Sequence, residues 1–383
     1  MKSRIISVIT AVVILTGVFH GGECLAVAED VQPRITTGAV SVSIDKEFGD
    51  LYLDMSGEDF MKLGFELGDG VDLSLSNGYR TDNIPVYNGY YAKYGRPEIV
   101  VKPDGSVVIA ASRASFEKMS DVEPGDKALI TLREKGAYEE IQETLNLVYS
   151  DKRSDFDSAE QFANFYEIKG GKLKKGLFYR SSSPVNNKRS RAPFAEKLLE
   201  AKEIKHIINI SDTVSEADNA QYQYNYFPRY YNNMRSAGNV AFLNLNSDYR
   251  SKEFASAVSN ALLKICDKRG PYLIHCGEGK DRTGFVSALI LALSGADYEE
   301  IRDDYMKSYE NYYGITESAE PEKYHRIVEL KADEILYYLA CASDDSGINL
   351  EKTDFKIGAV NYLRYGGLTN SQILYIKCLI TDQ

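Results

Sequence analysis

The stretch Pro271–Gly284, PYLIHCGEGKDRTG, joins two apolar segments through a short polar loop. The residues before the loop, Tyr272-Leu273-Ile274, are typical of the end of a buried strand, and FVSALILALSG at 285–295 is typical of a buried helix. A glycine-rich turn between a strand and a helix is a common anion site, because the first N–H groups of the helix point into it. The sequence therefore predicts an anion site at this junction.

The side chains of this loop fit one kind of anion, a phosphoryl group. Cys276 comes directly after the strand, and the glycines at 277 and 279 permit the positive-φ backbone with which the N–H groups up to Arg282 curl round one point. The helix, predicted to begin near Thr283, adds its positive end, and Arg282 offers a fork that matches two phosphate oxygens. These features stabilise a thiolate, so the Cys276 sulfur is predicted to lie beneath the phosphorus, in line for attack.

Three other interpretations of the loop fit less well. A nucleotide P-loop has a longer spacing between its first glycine and its Gly-Lys pair, followed by Ser or Thr, whereas here only Glu278 separates the glycines and Asp281 follows Lys280. A redox site favours a second cysteine nearby, and this loop has none. A plain buried thiol does not account for the surrounding charges and glycines.

The chain around the loop alternates strands and helices from about Gly176. LFYRSS, HIINI, VAFLNLN and PYLIH read as strands, with amphipathic helical segments between them and four more helical segments after the loop. This alternation predicts an α/β domain over 176–383, with a mostly parallel sheet flanked by helices. The loop then lies at the carboxyl end of a strand, where ligands of such sheets bind.

The first part of the chain has a different sequence pattern. Short alternating segments such as VSVSIDKEFGDLYLDM and PEIVVKPDGSVVIAAS predict a small, mostly β, barrel-like accessory domain over 38–148, with Asp104-Gly105 as a hairpin turn. The polar segment 149–175 is predicted as a linker with a short helix.

The sequence HCGEGKDRTG resembles the signature loop of the protein tyrosine phosphatase superfamily, in which five residues separate Cys from Arg. The Lys-Asp-Arg-Thr-Gly ending is similar to that of bacterial tyrosine/serine, dual-specificity-like phosphatases, and the lysine placement is similar to phosphatases that accept phosphoinositides. LFYRSSSP, DYMKSYEN and YLRYGGLTNSQI also resemble this branch. The resemblance covers roughly residues 165–383.

The resemblance implies roles for individual residues. Cys276 is the nucleophile that forms a phosphocysteine, Arg282 binds phosphate and stabilises the transition state, and Lys280 adds positive charge. His275 orients the loop, although a core histidine with a satisfied hydrogen bond is compatible with this, and Thr283 aids departure of the thiolate. The implied phosphate-binding loop consists of Gly277, Glu278, Gly279, Lys280, Asp281 and Arg282. No cofactor is implied, and the four histidines form no metal-like pair.

The leaving group of a phosphomonoester needs a proton from a general acid. The family carries this acid on a mobile loop one strand and one helix before the nucleophile, which here is LNLNSDYRSKEF and makes Asp248 the candidate. The alternative is that Asp248 or Ser247 caps the following helix. Asp212 and Asp281 are further candidates for the acid.

Two segments near the predicted strand ends bear on specificity. Lys188, Arg189 and Arg191 in NNKRSRAP are candidates for a second phosphate site or for a solvated loop. The tyrosine-rich segment QYQYNYFPRYYNN at 221–233 is a candidate for a lid over an aromatic substrate or for an aromatic surface loop.

The N-terminal part also resembles a known domain. The segments EFGDLYLDM, GDGVDL and SVVIAASRASFEKMSDVEPGDKALITL resemble the C-terminal β-barrel domain of S-adenosylmethionine hydroxide adenosyltransferases over about 40–135. The catalytic partner domain of that family is absent, so the resemblance implies an accessory or substrate-presenting module and no second active site.

The N-terminus predicts export. Lys2 and Arg4 precede the apolar run IISVITAVVILTGVF, and small residues up to Ala28 mark a cleavage site, so residues 1–28 are predicted to be a signal peptide. A membrane anchor and a lipoprotein at Cys24 are the alternatives; the run is short for a span, and Glu23 does not suit lipidation. The protein is then secreted or at the surface of a bacterial cell, with no stable span after cleavage.

The net charge of the chain bears on which binding partners are possible. A net charge of −11 over 383 residues excludes a polynucleotide partner, because the surface repels phosphate backbones. The sequence therefore predicts an exported phosphatase that hydrolyses phosphomonoesters. The predicted substrate is phosphotyrosine, and dual specificity towards other phosphorylated residues is the wider form of this prediction. An inositol phosphate or phosphoinositide phosphatase and a non-catalytic phosphate-binding module are the alternatives.

Overall fold

The computed structural model describes residues 35–46, 48–266, 268–342 and 346–382. Contacts within the chain divide it into two units, Met1–Glu143 and Thr144–Gln383. The predicted signal peptide, residues 1–28, lies outside the described residues.

The first unit is built round a closed barrel of seven strands. The strands are β1 (Thr36–Ile44), β2 (Leu51–Ser56), β3 (Gly70–Leu75), β4 (Arg80–Tyr87), β5 (Pro97–Val101), β6 (Ser106–Ala111) and β7 (Lys127–Glu134). Short helices accompany them: α1 (Gly57–Lys62), α2 (Phe116–Ser120) and α3 (Glu139–Leu145). The order round the barrel is β1-β2-β6-β5-β4-β3-β7, and the β4–β5 pair is parallel while the other neighbours are antiparallel. The predicted barrel-like domain is confirmed.

Alternating apolar residues fill the inside of this barrel. Val71, Ile109 and Ile130 are fully buried, and Phe60 stacks on Phe65 with ring centroids 4.3 Å apart. The predicted turn at Asp104-Gly105 joins β5 to β6, with Gly105 at a φ of +86°. The resemblance to the adenosyltransferase barrel stays a prediction.

The second unit holds a five-stranded sheet and eleven helices among its described residues. Its strands are β8 (Tyr166–Glu167), β9 (Phe178–Ser181), β10 (His206–Asn209), β11 (Val240–Phe242) and β12 (Tyr272–His275). Its helices are α4 (Ala159–Phe162), α5 (Ala192–Ala201), α6 (Val214–Gln223), α7 (Arg229–Ser236), α8 (Lys252–Cys266), α9 (Asp281–Ser294), α10 (Tyr298–Tyr313), α11 (Pro321–Ile327), α12 (Asp333–Leu339), α13 (Lys356–Tyr365) and α14 (Asn370–Ile380). The sheet order is β11-β10-β12-β9-β8, parallel except for the edge strand β8, so the predicted mostly parallel sheet is confirmed.

The centre of this sheet carries the loop quoted above. All four residues of β12 and of its neighbours β9 and β10 are buried, as expected of parallel strands covered on both faces. Helix α9 follows the loop and is buried from Thr283 to Ser294, because it is apolar all round. The loop is therefore fixed between two fully buried elements at the carboxyl edge of the sheet.

The segment 149–175 differs from the linker predicted for it. Its short helix is α4, but Phe162 and Phe165 are buried within the second unit and β8 pairs with β9. Polar residues dominate YSDKRSDFDSAEQF, so the sequence did not indicate that these aromatic side chains are buried. We therefore correct the interpretation: this segment is part of the second unit.

The aromatic and C-terminal segments add two further details. The stretch 221–233 comprises the end of α6, a connecting loop at 224–228 and the start of α7, with Pro228 preceding α7. The segment HRIVELKADEILYYLACA is divided into α11 and α12 by a π-helical turn, Val328–Ala332. Within the described ranges, no helix has the length and apolarity needed to cross a bilayer.

Candidate active site

Cys276 lies at the carboxyl end of the central strand and is buried. His275, the residue before it, pairs with Asn209 of β10 and with Ser181 of β9. Two further backbone bonds fix this end of the strand: Ile210 N–H donates to the His275 carbonyl at 2.9 Å, and Ser183 N–H donates to the Gly277 carbonyl at 2.9 Å. The cysteine therefore sits on rigid backbone.

Only one of the two loop glycines has the conformation predicted for both. Gly279 has a φ of +69°, and a Cβ at this position would lie 2.1 Å from the Ser181 carbonyl oxygen. Gly277 has no positive φ, and a Cβ there would meet nothing within 4 Å. The tight curl of the loop therefore depends on Gly279, and the expectation for Gly277 is wrong.

Three consecutive carbonyls of the loop are turned outward onto side-chain donors. The Glu278 carbonyl accepts from the Tyr312 hydroxyl at 2.6 Å, the Gly279 carbonyl from Arg180 Nη2 at 2.8 Å, and the Lys280 carbonyl from Arg180 Nη2 at 2.9 Å. Asn164 Nδ2 also donates to the first two, at 3.2 Å each. In a trans peptide the C=O and the following N–H point in opposite directions. The N–H groups of residues 279–281 therefore point towards the inside of the loop, as oxyanion binding requires.

Arg180 is a fully buried cation beneath the loop. Its Nη1 donates to Asp304 at 2.7 Å, and its guanidinium lies 5.1 Å from the centre of the Tyr166 ring. Burial raises the pKa of Asp304, while the charge of Arg180 opposes that rise. In the sequence, Arg180 stands within LFYRSSSP, one of the segments that resemble the bacterial branch, and no role was predicted for it. The sequence signal for its role, which is to bind the loop carbonyls, was a charged residue within a strand predicted to be buried.

Arg282 links the loop to the segment that carries the predicted acid. Its Nη1 donates to the Leu245 carbonyl at 2.8 Å, three residues before Asp248. Asp248 is half-buried, and its N–H donates to Asn246 Oδ1 at 2.9 Å. The structure therefore brings Arg282, the predicted phosphate ligand, and this segment together.

The same segment is anchored on its other side. Tyr249 stacks on Phe285 of α9 with centroids 4.4 Å apart, and the Tyr362 hydroxyl donates to the Tyr249 carbonyl at 2.8 Å. The Asp248 charge is close enough to contribute to raising the pKa of Tyr362, for which burial is the main cause. Asp248 thus stands on a segment that is packed against α9 and α13.

The other two acid candidates already accept hydrogen bonds. Asp212 accepts from Asn209 Nδ2 at 2.9 Å and from the Ser211 hydroxyl at 3.1 Å. Asp281 accepts from Lys280 Nζ at 3.0 and 2.9 Å. Asp281 belongs to the loop itself, and Asp212 lies close enough to His275 to affect its pKa, so geometry alone leaves all three carboxylates as candidates.

His275 is neutral near pH 7. Burial lowers the pKa of its imidazole to about 4, although the Asp212 carboxylate opposes this. Its Nδ1 lies 3.3 Å from the Cys276 carbonyl, and its ring packs edge-on against Tyr231 with centroids 6.1 Å apart. A neutral histidine in this place supports the backbone of the cysteine.

Thr283 and Lys280, two further predicted site residues, differ in their surroundings. Thr283 is fully buried in the first turn of α9, and its hydroxyl has no hydrogen-bond partner among the described residues. Lys280 lies with Nζ 5.2 Å from the centre of the Tyr309 ring. Burial opposes its charge, but Asp281 and nearby tyrosines raise the pKa of Lys280 well above its ordinary value. Lys280 therefore stays positive.

The three basic residues after β9, which are Lys188, Arg189 and Arg191, do not form one phosphate site. Arg191 is buried, with its guanidinium 4.4 Å from the Phe162 ring and 4.7 Å from the Tyr312 ring, and it donates to the Ser150 carbonyl at 2.7 Å. Arg189 donates to Asp151 at 3.0 Å, and Lys188 is exposed. Arg191 is thus a structural cation, which fits neither the second phosphate site nor the solvated loop predicted as alternatives for this run.

The aromatic segment 221–233 is partly core. Tyr231 is buried, and the Tyr226 hydroxyl donates to Glu196 at 3.0 Å. Tyr222 and Phe227 are exposed and pack edge to face, 5.3 Å apart. The segment thus combines buried and exposed aromatic side chains around the loop at 224–228, and its role as a lid stays a prediction.

A buried cysteine, an outward-turned loop backbone and an arginine at the start of a helix define the class of cysteine-based oxyanion sites. The model of the tyrosine phosphatase family matches residues 161–380, more than half of the chain. The chain belongs to this family, and the predicted superfamily is confirmed. Among the described residues, no group of three or more His, Cys, Asp or Glu side chains forms a candidate metal site.

Known proteins resemble parts of the chain. The triple specificity protein phosphatase PtpB of Mycobacterium tuberculosis is 35% identical over 77 residues, 19% of this chain and 28% of PtpB. The catalytic core of the PP-IP phosphatase SIW14 from S. cerevisiae is 21% identical over 45% of this chain and 88% of that one, with a TM-score of 0.24. An uncharacterized conserved protein from Thermotoga maritima is 19% identical over 24% of this chain and 35% of its own, with a TM-score of 0.23. TM-scores this low carry no weight for fold.

Proposed function

We propose that this protein is a cysteine-dependent phosphatase that hydrolyses phosphomonoesters through a phosphocysteine. The observation that supports it most strongly is the loop of Cys276, whose backbone carbonyls are bound from outside by Arg180, Asn164 and Tyr312. This arrangement leaves N–H groups and Arg282 for the oxygens of a phosphoryl group.

The proposed reaction has two steps. The Cys276 thiolate attacks phosphorus and forms the S–P bond, while the ester P–O bond breaks and the leaving oxygen takes a proton from Asp248. Water then attacks the phosphocysteine and gives a proton to the Asp248 carboxylate, so that inorganic phosphate and the thiolate are released. Thr283, whose hydroxyl is buried in the first turn of α9, donates to the departing sulfur.

Phosphotyrosine is the first substrate we propose, with dual specificity towards other phosphomonoesters. PtpB, described as a triple specificity phosphatase, matches a part of this chain. A second candidate class is inositol phosphates and phosphoinositides. It is favoured by the charged Lys280, which adds a fixed positive group to the loop for a substrate with several phosphates.

The setting of the enzyme is part of the proposal. The leader-like residues 1–28 support export of the protein, and the barrel then accompanies the phosphatase domain as an accessory module. N-terminal sequencing of protein recovered outside the cytoplasm tests the first statement. Recovery there of a mature chain that begins at Glu29 supports export, and protein found only in the cytoplasm with Met1 intact contradicts it.

The deciding experiment is phosphate release by residues 29–383 beside the Cys276→Ser variant. The substrates are a phosphotyrosine peptide, a phosphoserine peptide, an inositol phosphate and vesicles that contain a phosphoinositide. Turnover that disappears in the variant, with one phosphoryl group found on trapped wild-type protein by mass spectrometry, supports the proposal. Phosphate binding without turnover of any substrate makes the protein a phosphate-binding module.

A further inference from the structure

Glu278 is an acidic side chain inside a loop proposed to hold a dianion. It lies two residues after Cys276 and is half-buried. A carboxylate this close to a bound phosphoryl group repels it unless the carboxylate is directed away or its charge is offset. The position of the Glu278 side chain therefore affects how well the loop binds oxyanions.

The Glu278 carboxylate is held by a tyrosine from the start of the second unit. The Tyr149 hydroxyl donates to Glu278 Oε1. Burial, together with the nearby Glu278 charge, raises the pKa of Tyr149, so this hydroxyl keeps its proton and remains a donor. The bond is charge-assisted, and bonds of this type are about twice as strong as neutral ones.

Tyr149 is itself fixed by aromatic packing. Its ring lies 4.8 Å from that of Tyr312 and 5.6 Å from that of Tyr313, both at the end of α10. The Tyr312 hydroxyl donates to the backbone carbonyl of Glu278 at 2.6 Å. We refer to Tyr149, Tyr312 and Tyr313 as the tyrosine cluster. The side chain and the backbone of Glu278 are thus both bound to this cluster.

A cation lies on the same side. The Arg189 guanidinium is 5.2 Å from the centre of the Tyr149 ring and is held by Asp151 at 3.0 Å. Its charge interacts with both Tyr149 and Glu278. The surroundings of the Glu278 carboxylate therefore favour its position against the tyrosine cluster, where Arg189 offsets part of its charge.

The geometry points to Tyr149 as a positioning residue that holds the Glu278 carboxylate against the tyrosine cluster and away from the bound oxyanion. This inference rests on the proposed function, because it concerns the oxyanion site of that function. Without the Tyr149 hydroxyl, the carboxylate turns freely and its charge opposes binding of a dianion. Tyr149 then sets oxyanion affinity through Glu278 alone, and its effect disappears once Glu278 carries no charge.

The test is a double-variant cycle on the full-length protein with tungstate as the probe. Its affinity is measured by calorimetry for the wild type, Tyr149→Phe, Glu278→Gln and the double variant. We expect Tyr149→Phe to weaken tungstate binding by about 10-fold, the worth of one hydrogen bond to a charged group. Glu278→Gln is expected to bind at least as tightly as wild type, and the double variant like Glu278→Gln. Tyr313→Phe, which removes a hydroxyl from the same cluster, is the matched control and is expected to bind as wild type does.

Kinetics add a readout that simple loss of packing does not produce. Tyr149→Phe is expected to raise KM for an aryl phosphate and leave kcat within a few-fold, and Glu278→Gln is expected to restore KM in the double variant. Equal weakening by Tyr149→Phe in both backgrounds overturns the inference, because Tyr149 then acts by packing. Unchanged affinity in Tyr149→Phe overturns it as well. No tungstate binding by the wild type overturns the proposed function and this inference together.

Discussion

Arg282 donates a hydrogen bond from Nη1 to the backbone carbonyl of Leu245 at 2.8 Å. A guanidinium has five N–H donors, so this bond leaves others for a phosphoryl group. The bond ties the phosphate loop to the segment that follows β11, and Asp248 stands three residues further on. The guanidinium proposed to bind phosphate is therefore tied to the segment that carries the candidate acid.

The first prediction concerns the acid. Asp248→Asn is expected to slow hydrolysis of alkyl phosphates by about 10²-fold or more, because a poor leaving group needs a proton. Activated aryl phosphates, which leave without one, are expected to lose far less. Steady-state kinetics on both substrate types measure the difference, with Asp212→Asn and Asp281→Asn as matched variants. Equal losses on both substrates contradict the assignment, and leaving-group dependence in another variant transfers the role to that residue.

The second prediction concerns the buried ion pair beneath the loop. Arg180→Met leaves Asp304 buried without its partner and removes one donor from each of two loop carbonyls. Breaking a buried pair from one side costs about 3–5 kcal/mol. We expect this loss in the free energy of unfolding, measured with denaturant. Arg133→Met, which breaks an exposed pair with Asp72 in the barrel, is the control and is expected to cost less than about 1 kcal/mol. Similar losses in both variants contradict a special role for Arg180.

Local sequence patterns predicted the parts of the site that are contiguous in the chain. Strand β12, the loop and helix α9 follow one another, and their apolar and glycine spacing identifies them. The ion pair of Arg180 and Asp304 joins residues 124 apart, and the bond from Tyr149 to Glu278 joins residues 129 apart. Such pairings depend on tertiary packing, which a local pattern does not contain.

Side-chain surroundings explain the errors in the sequence analysis. Arg191 lies in a polar run that is typical of solvent, yet Phe162 and Tyr312 bury it from other elements. Two glycines in one loop look alike in sequence, but only at position 279 does the approach of Ser181 require the missing Cβ. Burial by distant residues decided both cases.

The third prediction compares these two glycines. Gly279→Ala places a Cβ at a φ of +69° and 2.1 Å from the Ser181 carbonyl oxygen, so backbone must move. We expect a loss of at least about 1–2 kcal/mol in the free energy of unfolding, the cost of a left-handed non-glycine residue, with the clash added to it. Gly277→Ala meets open space and is expected to be within about 0.5 kcal/mol of wild type. Equal effects on thermal unfolding contradict the distinction between the two positions.

The fourth prediction concerns pH. Burial lowers the pKa of His275 to about 4, below the usual value near 6.5 of an unfolded histidine. The unfolded chain therefore binds the proton first as pH falls, and the stability that neutral His275 contributes is complete above about pH 6.5 and is lost towards pH 4. Between pH 7.5 and 4.5 the wild type is expected to lose about 2–3 kcal/mol more than His275→Gln in the free energy of unfolding.

Denaturant titrations of the two proteins at both pH values measure this difference directly. His325→Gln is the control, because His325 is exposed on α11 and its loss leaves the burial of His275 intact. The control is expected to keep the full pH dependence of the wild type. If His275→Gln also keeps it, protons bound elsewhere cause the loss of stability at low pH, and His275 does not couple folding to protonation beneath the cysteine.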